Sequence, residues 1–412
     1  MKEYSRLIRE YSKEAYRLLK REPAGLLGHP FIVPGKAYSS ELWDWDSWLA
    51  DVAIRQIMLD NSDTDEGFFE YEKGCVLNFL DYKPASGRMA IMISSVSGDA
   101  LLSSSKNAHK PCLIQHIAFI VKRTGDSAWI KDRLPELREF LRFYKTEAYH
   151  SPTGLYFWGD DIAIGVDNDP SIFYRPDGST ASIYLNCLMY KELLAFSYLL
   201  KILGCPEESE SYEGEAKALA AAINEHLYDE KCGMYYSADI NLNPIEKDKL
   251  LHSGMPRHWD SLIMRIDSWA GFMALWAGIA PAHRAKRVIE ENMLNERTFM
   301  SAAGIRSLSR LEKMYRVVKS GNPSCWLGPV WGIANYMCFR GLLKYGYEGE
   351  AAELAEKTVK LFGEDVKNIG EMHEYYDPDS CLGVNNPGFQ SWNLLVNNML
   401  AYLEGREVVE EF

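Results

Sequence analysis

The sequence contains no run approaching the ~20 apolar residues needed to cross a bilayer. Its eight cysteines, Cys75, Cys112, Cys187, Cys205, Cys232, Cys325, Cys338 and Cys381, form no CxxC pair, which argues against the common zinc frameworks. His29, His116 and His258 lack metal-ligand spacing, so neither a metal nor a cofactor is expected. Positive charge is in deficit: the net charge of -13 argues against nucleic acid or an anionic membrane as partner. Convincing strands are scarce, with short extended pieces expected around 88–97 and 234–238, and no solenoid repeat is evident. The first residues, MKEYSRLIREYSKEAYRLLK, form a charged amphipathic segment without an apolar signal core. Cys187 and Cys338 sit in apolar helical runs as buried thiols. Together these features suit a reducing cytoplasm.

Aromatic residues are plentiful. Among 412 residues there are 11 Trp and 24 Tyr, a content that suits carbohydrate contact because aromatic faces cover the apolar faces of sugar rings. Helical periodicity dominates. The pattern predicts helices over 2–21, 46–60, 66–82, 112–124, 127–149, 180–204, 208–228, 265–279, 281–297, 328–346, 348–365 and 390–405. Twelve helices make six hairpins, and long connections alternate with short ones. The long ones span 22–45, 83–111, 150–179, 229–264, 298–327 and 366–389. Structureless connections of this length inside a compact domain are usually functional. The alternation predicts an all-α fold, an (α/α)6 barrel with one functional rim, formed by a single domain over residues 1–412.

The third long connection carries the most unusual stretch, WGDDIAIGVDNDPSIFYR from Trp158 to Arg175. It sets Asp160, Asp161, Asp167 and Asp169 beside Tyr156, Phe157 and Trp158. Gly165, Pro170 and the Asn168-Asp169 pair deny it regular structure. A carboxyl near aromatic faces loses water and its pKa rises towards that of a general acid. The competing readings are a solvated acidic loop and a calcium loop, but the spacing and closing Glu of a calcium motif are missing. The other long connections add Glu41 to Ser47, Ser103 to Pro111, Arg257 to Asp260, Gly304 to Ser309, Trp326 to Trp331, His373 to Asp377 and Asn385 to Trp392. Glycoside hydrolysis needs a second carboxyl from a separate part of the fold. Glu374 is the candidate and Glu371 its nearest rival. Lys110 and Gln115, near the start of a helix, are further candidates to reach the rim, and His373 is placed either to tune Glu374 or to pack.

Five blocks give the pattern a family likeness: LWDWDSW at 42–48, GVDNDPS at 165–171, WLGPVWGIANYM at 326–337, HEYYDP at 373–378 and GFQSWNLLVNNM at 388–399. In this order and spacing they resemble glycoside hydrolase family 63, and more weakly the family 37 trehalases. The resemblance covers nearly the whole chain. It implies an (α/α)6 barrel and inversion at an α-glycosidic bond. Carried over by motif, it makes Asp167, before Asn168, the general acid and Glu374 the general base. It places Trp43, Trp45 and Asp46 at the glycone; Trp326, Gly328 and Trp331, with Asn335 a turn on, in a second block; and Phe389 and Trp392 in a third. For Asp46 the alternative is a helix N-cap, and for Trp45, Trp158, Trp326, Trp331 and Trp392 it is the core.

The chain departs from the family in three places. It has no room for an added N-terminal β-rich domain. Asp169-Pro170-Ser171 replaces the usual Ser-Pro-Arg, leaving Arg175 as the nearest arginine. Arg306 stands where relatives often have Pro. Arginine binds carboxylates bidentately, so Arg306 is expected either to meet a glycosylated glycerate or to pair with Glu312 or a neighbour. The sequence thus reads as an inverting α-glycosidase of a small sugar substrate: glucosylglycerate, mannosylglycerate or an α-disaccharide. A sugar epimerase or isomerase on an α/α toroid and a non-catalytic sugar-binding protein are the alternatives. The first needs rim histidines, which carboxylates here outnumber, and the second would lack one of the paired carboxylates.

Overall fold

A computed structural model describes residues 1–65, 67–82, 88–97, 104–242, 259–318 and 323–412. Ser103, Arg257 and His258, read above as parts of long connections, lie outside the described residues. Among those described, the chain forms twelve α-helices: α1 (Lys2–Ala15), α2 (Asp44–Asp60), α3 (Phe68–Asp81), α4 (Leu113–Thr124), α5 (Leu134–Glu147), α6 (Ile183–Ile202), α7 (Pro206–His226), α8 (Met273–Ala277), α9 (Ala282–Arg287), α10 (Gly332–Lys344), α11 (Glu348–Ile369) and α12 (Val396–Leu403). Each expected helix has its counterpart. The strands among the described residues are two or three residues long, among them Met92–Ser94 and Met234–Tyr235.

Burial separates the helices into two kinds. Along α2, α6 and α10 most positions are buried, whereas α1, α5 and α11 bury one stripe and leave the rest largely open. A helix apolar on all sides must be covered on all sides. The packing meets that demand in cyclic order: α2 contacts α4, α4 contacts α6, α6 contacts α8, α8 contacts α10, α10 contacts α12, and α12 returns to α2. Helix α7 covers α6, α11 covers α10 and α12, and α1 covers α11.

Where helix ends differ from expectation, competing backbone partners explain it. The segment expected as a helix over 265–279 is helical only from Trp269. Before it, Ser268 is extended and bridges to Leu308, and Trp269 N–H donates to the Ser307 carbonyl at 3.0 Å. Helix α2 starts at Asp44 rather than Asp46, because the strand Glu41–Trp43 runs directly into it, paired with Met92–Ser94.

Buried polar groups fix neighbouring helices against each other. Glu192 of α6 is fully buried and caps α4. Its carboxyl accepts from Ile114 N–H at 2.7 Å and Gln115 N–H at 3.0 Å, two of the donors that a helix start leaves without partners. Glu192→Ala should therefore strand two buried N–H groups, at about 1–3 kcal/mol each. The expected outcome is a clear fall in the urea midpoint, with Glu192→Gln, which keeps one acceptor oxygen, intermediate. A midpoint unchanged in Glu192→Ala would show that water replaces the cap.

Candidate active site

The long connections at one end of the helices enclose a cavity of about 400 Å³, within the size range of small-ligand pockets. Its deep part is aromatic. Trp45, at the start of α2, meets Trp392 at 5.0 Å and Trp326 at 6.3 Å, and Trp326 stacks on Trp331 at 4.0 Å with 5° between the ring planes. Phe389 packs on Trp392 at 4.9 Å, and Tyr38 meets Phe389 edge-on at 6.1 Å. These rings surround the cavity carboxyls and exclude the water that would stabilise their charged forms.

Glu374 precedes the strand Tyr375–Tyr376, which lies between Val330–Trp331 and Gly383–Asn385. Its backbone N–H is held by the Asn385 carbonyl at 3.0 Å. Its side chain is buried and lines the cavity. Asn386 donates to Oε2 at 3.1 Å, Asn385 at 3.3 Å, and the Tyr38 hydroxyl lies 3.4 Å from Oε1. Burial pushes the carboxyl up to about 7 against the pull of these donors.

Asp167 reaches the cavity from the acidic loop. Burial raises its pKa, opposed by a hydrogen bond with Ser324 and by the Lys110 ammonium. The loop is held close by two neighbours of Asp167. Asn168 is buried, and its Oδ1 accepts from Trp326 N–H at 2.7 Å. Gly165 has φ +91°, and a Cβ there would stand 2.8 Å from both Lys110 Cε and Trp45 Cζ2. Only glycine allows this approach. The remaining aspartates of the stretch divide. Asp161 lines the cavity. Asp160 ties the loop to residues 105–107, accepting from Ser105 Oγ at 3.0 Å and Asn107 Nδ2 at 2.9 Å, and Asp169 accepts from Ser171 N–H at 2.8 Å.

Asp46 also faces the cavity, from the first turn of α2 rather than the cap, and accepts from Ser391 Oγ at 2.8 Å. Burial pushes it up to about 8. Beside it Lys110, 1 % exposed, pairs with Asp44 at 3.0 Å and sits 5.2 Å from the centre of the Trp45 ring. Trp43 lines the cavity too, its Nε1 donating to Glu41 Oε2 at 2.7 Å.

Five of the sequence candidates stand away from the cavity surface. Gln115 is fully buried, and its amide donates to the carbonyls of Pro111 at 2.6 Å and Leu188 at 3.1 Å, so it joins α4 to α6. Trp158 packs behind the cavity on Tyr184, at 6.1 Å, and borders a second hollow with Lys106 and Phe157. Asn168 acts on the loop as described. Gly328 has φ +148°, where a Cβ would meet the Tyr315 ring at 2.6 Å, and its N–H donates to Ser307 Oγ. Arg306 does not line the cavity. It is buried in a bridge to Val330, and its guanidinium donates to Asp379 at 2.9 Å and to the Met300 carbonyl. Asp379, not Glu312, is its ionic partner.

Nearby residues separate in the same way. Glu371 pairs with Lys36 and does not line the cavity. His373 turns from Glu374 to Asp365, at 2.9 Å. Asn335 holds the 303–305 turn through Ile305 N–H and the Ala303 carbonyl. Trp259 is exposed and outside the lining. Sequence reasoning did not single out Tyr38, Phe173 or Ser324, all of which line the cavity. Each lies in a long connection, but one tyrosine among 24 carries no mark of its position.

Comparison with known proteins fits this geometry. A mannosylglycerate hydrolase MGH1 of Selaginella moellendorffii is 28% identical over 226 residues, 55% of this chain and 40% of that protein. The cytosolic neutral trehalase of Kluyveromyces lactis is 24% identical, over 85% of this chain and 51% of its own length. The chain thus spans about half or less of the length of these curated relatives. The crystal structure of a GH63 mannosylglycerate hydrolase from Thermus thermophilus, in complex with Tris and D-glycerate, superposes with a TM-score of 0.66 at 19% identity, covering 97% of this chain and 100% of that one. The family model described as the mannosylglycerate hydrolase MGH1-like glycoside hydrolase domain matches residues 39–390, and the chain belongs to that family.

Proposed function

We propose that the chain is an inverting α-glycosidase acting on a small α-glucoside or α-mannoside, with Asp167 as general acid and Glu374 as general base. One observation carries the reading. Two carboxyls from separate parts of the fold, the loop after α5 and the strand after α11, open on one tryptophan-lined cavity, both with raised pKa. In the proposed reaction Asp167 protonates the glycosidic oxygen while Glu374 takes a proton from the attacking water. Trp45, Trp326, Trp331 and Trp392 cover the apolar faces of the glycone. Asp46 and Lys110 bind its hydroxyls, Trp43 borders it, and the Tyr38 hydroxyl stands beside the base. The cyclic contact order of α2, α4, α6, α8, α10 and α12 supports an (α/α)6 barrel formed as one domain, with this cavity at its rim.

The reading is tested by incubating the protein with a panel of α-glucosides and α-mannosides and following the released sugar by NMR. The expected first product is the β-anomer, which then mutarotates. The α-anomer as first product would mean retention and overturn the assigned roles. Asp167→Asn and Glu374→Gln each preserve shape and remove one proton transfer, and each should lower kcat by at least ~10²-fold. Near-normal turnover in either variant would remove that residue from the chemistry.

The pH dependence follows from the required protonation states. Glu374 must be ionised to accept a proton, and burial holds its pKa at about 7. Asp167 must be protonated to donate. Activity should therefore rise with pH as Glu374 ionises, around 7, and fall as Asp167, whose pKa burial raises, loses its proton, the two limbs belonging to the coupled pair. Measured as kcat/KM against pH, the acidic limb should vanish from the residual activity of Glu374→Gln.

A further inference from the structure

The cavity is graded from a closed end to an open one. Trp45, Asp46, Trp326 and Trp331 are almost fully buried, whereas Ile162 is 38% exposed and Asp161 is partly exposed. A general acid stands beside the oxygen of the leaving group. Resting on the roles proposed for Asp167 and Glu374, the aglycone then lies along the acidic loop, against Asp161, Ile162, Ala163 and Phe173. The loop backbone is tightly bent there: Ala163 and Tyr174 both have positive φ, at +56° and +60°. In that conformation Tyr174 N–H points at Asp161 Oδ2, 3.3 Å away.

The charge lining this end is of one sign. Lys110 is the basic residue lining the cavity among the described residues, and it sits at the closed end, held by both oxygens of Asp44. Arg306 is committed to Asp379 outside the cavity. A substrate carboxylate at the open end would meet the Asp161 carboxyl with no cation among the described lining residues beside it to offset the repulsion. A hydroxyl there would instead find an acceptor, because the contact from Tyr174 N–H engages Oδ2 and leaves Oδ1 to a donor on the ligand.

We propose that Asp161 selects an uncharged, hydroxyl-bearing aglycone, a polyol or a second sugar, and disfavours an anionic one such as glycerate. Unfavourable interaction between two like charges at a partly solvated site is worth about a five- to fiftyfold change in the ratio of rates.

The test uses matched pairs that differ only in charge: glucosylglycerol with glucosylglycerate, and the corresponding mannosides. The wild-type protein should have the higher kcat/KM for the neutral member. Asp161→Asn keeps an acceptor for Tyr174 N–H while removing the charge. It should raise the glycerate-to-glycerol ratio of kcat/KM by about five- to fiftyfold. Added salt should raise the same ratio in the wild type and leave it flat in the variant. A purely structural Asp161 would alter both substrates together and leave the ratio fixed, which overturns the proposal. So does a wild-type preference for the glycerate. Failure to hydrolyse any member of the panel overturns instead the glycosidase reading on which the proposal rests.

Discussion

The hydrogen bond from Trp326 N–H to Asn168 Oδ1 joins the two walls of the cavity. Residues 158 apart in the chain meet there at 2.7 Å. On one side stands a loop with no regular structure to stiffen it; on the other, a stacked pair of tryptophans anchored to a three-stranded sheet. Because Asn168 is buried, the bond is made away from water, where leaving either group without a partner is strongly unfavourable. Its direct neighbour Asp167 is thereby presented to the cavity, and Ser324, two residues before Trp326, arrives beside it. The same sheet carries Glu374. One contact therefore sets Asp167, its hydrogen-bond partner Ser324 and the aromatic floor in a common frame with Glu374.

The desolvation that raises the cavity carboxyls follows from that frame. Rings at centroid distances of 4.0 to 6.3 Å leave little space for water around Asp46, Asp167 and Glu374. The donors that remain, Ser391 for Asp46 and Asn385, Asn386 and Tyr38 for Glu374, are few enough that burial dominates. A carboxyl in an open polar loop would have stayed near its ordinary range. Asp160, turned towards Ser105 and Asn107, illustrates how the same residue type in the same loop can serve to hold the loop itself.

Much of this was legible in the sequence, and the reasons are physical. Helical periodicity reports burial directly, so all twelve helices could be read, and errors fell at ends where backbone partners from distant segments intervene, as Leu308 does at Ser268. Aspartates among aromatics marked the acidic loop, and the repeated Trp blocks marked the floor. What a one-dimensional pattern does not carry is azimuth. Gln115 sits one turn into α4 beside residues that face other ways, and only packing against α6 turns its amide to Leu188. Arg306 looked like a ligand group because arginine binds carboxylates bidentately and stands where relatives often have Pro; the bridge to Val330 and the distant Asp379 instead hold it buried. Tyr38 enters the site through a fold of the chain that nothing local encodes.

The acidic loop divides its labour along its length. Its later part, from Gly165 to Asn168, is wedged against Trp45, Lys110 and Trp326 and tolerates little change. Its earlier part, Asp161 to Ala163, borders the opening with its side chains partly exposed. Variation in the second part can alter what enters without disturbing the geometry held by the first. A lineage built on this arrangement can change what enters by substitution at a few mouth positions while the wedged half stays fixed, and homologues should differ there more than anywhere else around the cavity.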